Sequence, residues 1–174
     1  MTVVRETARL VLRHLTVEDA PFASELVNDA DWLRFIGDKG VRTLDDAVGY
    51  LEQGPLRSYA EHGFGLYGVA LREGGALVGI CGLVKRPTLD DVDVGFAFLP
   101  AARGAGYCTE AGTAVLDHAW RDCRLPRLVA ITTVDNHASM AVLRRLGFSL
   151  ERLVALTPGT PELNLFACER PAAS

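Results

Sequence analysis

The residues best suited to chemistry lie between Phe96 and Ala111, in FAFLPAARGAGYCTEA. A strand-like run enters a turn at Arg103-Gly104-Ala105-Gly106 and leaves it as a helix pattern. Glycines at 104 and 106 let the backbone approach a ligand closely and take angles a side chain would forbid. The first amides of the following helix have no partner within it and point outward. Together with the helix dipole they form an anion site suited to a phosphate or pyrophosphate. An ordinary glycine turn entering a helix has the same local pattern, so this stretch alone leaves both readings open. Two other phosphate motifs are excluded. No Gly-Lys-Ser/Thr follows the glycines, as a P-loop requires, and Thr109 stands where a dinucleotide fingerprint needs a third glycine or alanine.

Proton transfer and metal chemistry have fewer candidates. Asp93 lies on the strand entering the motif, among Asp90, Asp91 and Asp93, and reads either as a base acting through a water or as one of three exposed carboxylates. Glu162, close to the chain's end, is a second candidate base. Cys81, Cys108, Cys123 and Cys168 are far apart with no C-x-x-C pair, and read as buried thiols rather than bridges or metal ligands; no metal is expected. His118 falls on an apolar helical face and reads as a core histidine, and His14, His62 and His137 share no evident partner.

Positioning these residues requires a mixed arrangement of strands and helices. Residues 8–14 alternate as an edge strand, Thr16 opens a helix running to about Asn28, and Thr43 caps another over 43–60. Two strand-like runs, FGLYGVALR and ALVGICGLVKR, flank a Glu-Gly-Gly hairpin signal, and a third strand covers 91–99. Beyond the glycine motif come a helix with Tyr107, Ala111, Ala114, Val115 and His118 on one face, a strand over 127–134 and a helix over 136–146 that ends at Gly147. A closing hairpin, 148–156 with 162–170, turns at Thr-Pro-Gly-Thr-Pro, and a Pro-Ala-Ala-Ser tail follows. Antiparallel hairpins followed by strand–helix–strand–helix indicate an α/β domain with a mixed sheet.

Composition bounds the function. At 174 residues, 49% hydrophobic and 23% charged, the chain reads as one domain over 1–174 with a substantial core. Its longest apolar run, Phe96 to Ala102, is far short of the about 20 residues a membrane span needs. Arg5, Glu6, Arg9 and Arg13 interrupt any secretion signal, so a cytoplasmic protein is expected. A net charge of −4 argues against a general nucleic-acid binder.

With these features in order, the chain resembles the GNAT superfamily of N-acetyltransferases over nearly its whole length. The superfamily signature, Arg/Gln-x-x-Gly-x-Gly/Ala after a strand, reads here Arg103-Gly104-Ala105-Gly106-Tyr107-Cys108. RGAGYCTEA, the later Asn136 and Ser139 in NHAS, and Leu146-Gly147-Phe148 are similar to the branch that acetylates ribosomal-protein N-termini at alanine. The resemblance implies the GNAT fold, with a mixed, mostly antiparallel sheet of six to seven strands and helices on both faces. It implies direct transfer of acetyl from acetyl-CoA to a primary amine, with no metal. Pantetheine would bond along the backbone of Phe96, Ala97 and Phe98, and pyrophosphate would sit on the amides of Arg103, Gly104, Ala105, Gly106, Tyr107 and Cys108. An N–H near Phe98 would face the developing oxyanion.

Several roles implied by the resemblance compete with plain structural ones. Arg103 reads as a side-chain phosphate ligand or as a solvated loop arginine. Asn136 reads as a helix cap, as a pantetheine ligand, or as both. Ser139 is the candidate donor of a proton to the departing thiolate, or a serine satisfying its own helix turn. Leu143 occupies the place of a tyrosine that many members carry, and Cys108 replaces a glycine or alanine of the signature. Glu110 reads as a first-turn carboxylate stabilised by its helix. An α-amine, with a pKa of about 8 against about 10.4 for lysine, asks less of the base. A protein or peptide N-terminal α-amine is therefore the expected acceptor. A small-molecule amine (amino acid, polyamine or antibiotic) is the alternative, and a non-catalytic acetyl-CoA-binding module is a third. The acceptor cleft is expected between residues 17–60 and the 155–162 loop; monomer and homodimer both remain open.

Overall fold

The computed structural model describes residues 1–173. Its centre is an eight-stranded sheet in the order β1-β2-β3-β4-β5-β6-β8-β7. The strands are β1 Val3–Glu6, β2 Leu10–Arg13, β3 Leu66–Leu71, β4 Leu77–Val84, β5 Asp93–Phe98, β6 Arg127–Thr132, β7 Ser149–Val154 and β8 Leu163–Glu169. Every neighbouring pair is antiparallel except β5 with β6. That parallel pair needs a crossover, and helix α5, Tyr107–Arg121, supplies it.

The sheet is larger than the six to seven strands expected, because β1 extends it beyond β2. Residues 8–14 therefore form an internal strand and not the edge: Leu10 and Leu12 are fully buried between β1 and β3. The helix expected from Thr16 begins as a 3-10 turn over Val17–Asp19, whose Asp19 carboxylate accepts from the Thr16 N–H (2.9 Å), and continues as α1, Ala20–Val27. A further short helix, α2 (Ala30–Phe35), is capped by Asp29. The segment expected as one helix over 43–60 starts at Thr43, whose hydroxyl accepts from the Asp46 N–H, and runs through α3 (Leu44–Leu51), a π turn carrying Pro55, and α4 (Arg57–His62). Pro55 has no N–H to give, and the wider turn absorbs that break in the ladder. Helix α6, His137–Arg145, follows β6 and stops at Gly147, whose φ is +95°. Residues 171–173 form no helix or strand, and Ser174, the end of the tail, lies outside the described residues.

Alternation along the strands sends side chains to two cores on opposite faces. Cys81, Leu83, Val94, Phe98, Leu128, Ala130 and Phe166 pack with Ala111, Val115 and Ala119 of α5 and with Met140 and Leu143 of α6. Ile80, with Ala97 and Leu77 against it, packs with α1, α3 and Trp32 of α2. A smaller group on that second face, Leu89, Val129 and Leu165, is covered by Leu156.

One close approach is set by a glycine. A Cβ placed on Gly82 of β4 would lie 2.2 Å from the Gly65 carbonyl oxygen and 2.7 Å from the Leu66 Cα, both backbone atoms that cannot swing aside. Gly82→Ala is expected to destabilise the fold by about 1–3 kcal/mol, the usual cost of overpacking. A urea midpoint would read it; an unchanged midpoint would mean that β3 and β4 part freely.

Candidate active site

Strands β5 and β6 touch and then separate. Their ladder contains one register pair, Asp93 with Val129, where the Val129 N–H donates to the Val92 carbonyl (3.0 Å). Strand alternation then turns the N–H and C=O groups of Val94, Phe96 and Phe98 toward β6, while those of Asp93, Gly95 and Ala97 turn toward β4. Beyond Asp93 no β6 residue is in register to meet them, so the Phe96 N–H and C=O and the Phe98 N–H face an open wedge, while the Phe98 carbonyl accepts from Arg103 Nε. Ala97, expected alongside them as a backbone ligand, points its polar groups to β4, where it pairs with Ile80. A wedge edged by free backbone groups accepts an extended ligand as it would accept another strand.

At the end of β5 the chain makes a 3-10 turn over Pro100–Ala102 and enters the glycine loop. Gly104 and Gly106 stand at φ +81° and +82°, the left-handed region that glycine tolerates. The Arg103 N–H closes on Pro100 O and the Glu110 N–H on Gly106 O. Between them, the amides of residues 104–109 find no hydrogen-bond acceptor among the described residues. They gather at the positive end of the 15-residue helix α5, a built anion cradle. Glu110 does not compete for that charge. Its carboxylate accepts from the Thr7 hydroxyl (2.6 Å), the Arg9 N–H (3.0 Å) and the Arg9 guanidinium (2.7 Å), which locks the loop to the β1–β2 turn. Burial alone would raise its pKa, yet these bonds hold it below the usual value. Arg9 also donates to Ala105 O (2.9 Å) and stacks 4.5 Å over Tyr107. Cys108 is half-buried, and burial pushes its thiol up to about 12, so it carries no thiolate.

Wedge and cradle together suit a long donor with an anionic middle, and the domain model that matches residues 9–149 is the acetyltransferase (GNAT) domain. The chain belongs to the GNAT acetyltransferases. A curated relative, the uncharacterized N-acetyltransferase YnaD of Bacillus subtilis, is 26% identical over 145 residues, covering 83% of this chain and 82% of its own. The crystal structure of an acetyltransferase from Agrobacterium tumefaciens superposes with a TM-score of 0.82 at 25% identity, covering 97% of this chain and 95% of that one. RimL, a ribosomal L7/L12 alpha-N-protein acetyltransferase solved in complex with coenzyme A, shares the fold at a TM-score of 0.75 and 20% identity, covering 96% and 97%. The chain is thus an acetyltransferase, and not a non-catalytic binding module. No helix among the described residues is long and apolar enough to cross a membrane.

The structure separates the expected site residues of this GNAT acetyltransferase into groups. Asn136 caps α6, its Oδ1 accepting from the Ser139 N–H (3.2 Å) and its Nδ2 remaining free to donate. Ser139 is half-buried in the first turn, and its hydroxyl has no hydrogen-bond partner among the described residues. Leu143 is fully buried in the α5–α6 core. Glu162 is exposed on the loop before β8, with no hydrogen-bond or ion-pair partner among the described residues. His118 is a core residue, its Nδ1 2.7 Å from the Asp122 carboxylate and its Nε2 2.9 Å from the Tyr67 hydroxyl.

Asp93 and Arg103 differ most from the sequence reading. Asp93 is no exposed carboxylate: it is 1% exposed, on the α1–α4 face of β5, at the seam between the Ile80 and Val129 groups. One oxygen accepts from Arg86 Nε (2.7 Å); the other, Oδ1, is buried with no partner among the described residues. Burial pushes this carboxyl above the usual carboxylate range, against the pull of the Arg86 guanidinium. The Arg103 guanidinium turns away from the anion cradle, donating to Phe98 O (3.1 Å), Asp31 (2.7 Å) and Asp29 (2.6 Å). Arg86, Asp29, Asp31 and Arg9 escaped the sequence reading, since nothing local marks a residue whose partner is far along the chain.

The Asp93 shift has a sign that can be checked. A folded pKa raised above the unfolded 3.8 contributes stability that is full at low pH and lost as pH rises through the folded value. Wild-type stability relative to Asp93→Asn, which cannot titrate, should therefore fall as pH rises from the unfolded 3.8 through the raised folded value. Denaturant melts across that range would show it. A flat or rising difference would place the Asp93 pKa at or below its ordinary value.

Proposed function

We propose that this chain transfers acetyl from acetyl-CoA to a protein or peptide N-terminal α-amine in the cytoplasm. The observation that carries the reading is the buried Asp93 with its free Oδ1, set where β5 and β6 part. A donor thioester entering the wedge from the α5 cradle arrives beside that carboxylate, and the opposite face remains for the amine. The acceptor side is then walled by α1–α4 on one hand and by the 155–162 loop on the other, where Leu156 packs over Val129 and Leu165. An open cleft of about 530 Å³, lined by Lys39, Asp45, Asp46 and Tyr50 among others, falls within that wall.

The residues divide the work as follows. Backbone groups of Phe96 and Phe98 hold the pantetheine arm and free amides 104–109 hold the pyrophosphate, with Asn136 Nδ2 as a further donor to the arm. Asp93, its basicity raised by burial, takes the proton of the attacking amine directly or through a water, with Glu162 the alternative base nearer solvent. Nitrogen then adds to the thioester carbon while a free backbone N–H on the wedge edge of β5 meets the oxyanion. As the carbon–sulfur bond breaks, the Ser139 hydroxyl relays to the leaving thiolate the proton that the acetylated nitrogen sheds, so the serine ends as it began. The peptide acceptor follows from two supports. An α-amine with a pKa of about 8 is partly neutral already and suits a single carboxylate base, and RimL, with the same fold, acts on a protein α-amine as its name states.

Calorimetry should show saturable one-site binding of acetyl-CoA and none of NADH. A panel of peptides with free Ala, Ser or Met N-termini should be acetylated in preference to polyamines, amino acids and amino sugars, read as thiol release above the background of the four native cysteines. Preference for the small amines would overturn the peptide reading and keep the chemistry. Ser139→Ala should lower kcat at least about tenfold, within the reach of one acid group, with acetyl-CoA affinity little changed. Equal turnover would leave Ser139 a turn residue only.

A further inference from the structure

Arg103 opens the donor loop, yet its side chain serves α2. Nε donates to Phe98 O at the end of β5, while Nη1 and Nη2 reach Asp31 (2.7 Å) and Asp29 (2.6 Å). Asp29 is the α2 cap, accepting from the Asp31 N–H (3.1 Å), and is itself largely buried. The other end of the same helix is held by Arg34, which pairs with Asp135 (3.2 Å), the residue directly before Asn136. Helix α2 is thereby tied to the chain beyond β5 at one end and to the chain beyond β6 at the other. It is a strap across the strands whose separation opens the wedge.

We propose that Arg103 is a positioning residue that couples the donor loop to the acceptor wall: ordering residues 103–108 on acetyl-CoA fixes α2 in the position the acceptor requires. This rests on the reading that α2 walls the acceptor side. The side chain suits the task. A guanidinium holds its donors in a rigid plane and reaches a carbonyl and two carboxylates at once, which the single ammonium of lysine cannot do. Because Phe98 O borders the wedge and Arg103 begins the loop, any shift of the loop is carried to Asp29 and Asp31 through one stiff group.

The test is hydrogen exchange with and without acetyl-CoA, read separately over residues 107–112 and 30–36. Wild type should gain protection in both segments. Arg103→Ala should keep acetyl-CoA affinity within about threefold and keep the gain at 107–112, but lose it at 30–36. Arg103→Lys should recover only part of that gain. Asp29→Asn with Asp31→Asn, in which Asn still caps the helix, should reproduce the loss with Arg103 intact, which guards against a misfolded Arg103 variant. With an Ala-initiated peptide, Arg103→Ala should raise acceptor KM about tenfold, a common size for coupling between two sites, with a smaller change in kcat. An unprotected α2 in wild type, or full protection in Arg103→Ala, would overturn the proposal. So would a loss of acetyl-CoA affinity above about tenfold with α2 unaffected, which would make the side chain a phosphate ligand. The exchange readout needs no acceptor, so a wild-type enzyme that protects α2 yet ignores the peptide would count against the acceptor reading alone.

Discussion

Everything functional in this fold depends on two parallel strands that stop pairing after one register position. Backbone N–H and C=O groups in a protein interior are almost always satisfied, because leaving one bare costs much of a hydrogen bond. Here β4 satisfies one edge of β5 along its whole length, and β6 abandons the other edge after Asp93. The fold tolerates this because the rest of the sheet is antiparallel and closes by hairpins, while α5 makes the one crossover that the parallel contact requires. An edge left open between two covered faces is poorly stabilised by water and well stabilised by a strand-like ligand. The wedge is therefore selective before any side chain is considered: it favours an extended, amide-bearing arm.

Two charged groups beside that opening, Glu110 and Arg103, are held by partners of their own. Glu110 could have neutralised the cradle at the start of α5, but Thr7 and Arg9 consume its oxygens. Arg103 could have filled the cradle with its guanidinium, but Asp29 and Asp31 hold it on the opposite side. What remains for a phosphate is the set of bare amides, whose partial charges are fixed by backbone geometry and cost no reorganisation. Asp93 is the contrasting case. Its single ion pair with Arg86 satisfies one oxygen and leaves the other buried and bare. A carboxylate kept that way is a stronger base than an exposed one, and the protein accepts a stability cost to keep it.

How much of this was legible in the sequence follows from the range of each interaction. The glycine loop, the caps at Thr43 and Asn136 and the stop at Gly147 are local, and all stand where residue types place them. The buried face of α5, with Ala111, Ala114, Val115 and His118, is likewise written in a 3.6-residue period. The four-residue β1 and six-residue α2 are too short to show any period, which is why the sheet came out a strand larger than expected and the strap went unseen. Asp93 stays open between a base and an exposed carboxylate in the sequence because the three acids in DDVD look alike until strand alternation and the β6 contact bury one of them. Arg103 was ambiguous for a similar reason: its partners lie 72 and 74 residues earlier.

The absence of a tyrosine at position 143 fits the same economy. Leu143 has no solvent exposure and packs in the α5–α6 core, so a phenol there would have to force the core open or bury its hydroxyl without a partner. On the proposed reading the leaving thiolate must then be met by the first turn of α6. That turn has what the task needs. Asn136 binds the Ser139 N–H, which fixes the serine's backbone while its hydroxyl stays uncommitted. The positive end of α6 also favours a thiolate nearby, so the leaving group departs with less help from a proton. A weak acid assisted by a helix terminus, facing a carboxylate made more basic by burial, divides between two modest groups the proton traffic that a tyrosine would otherwise share. An α-amine acceptor, already partly deprotonated at neutral pH, is the substrate for which such a pair suffices.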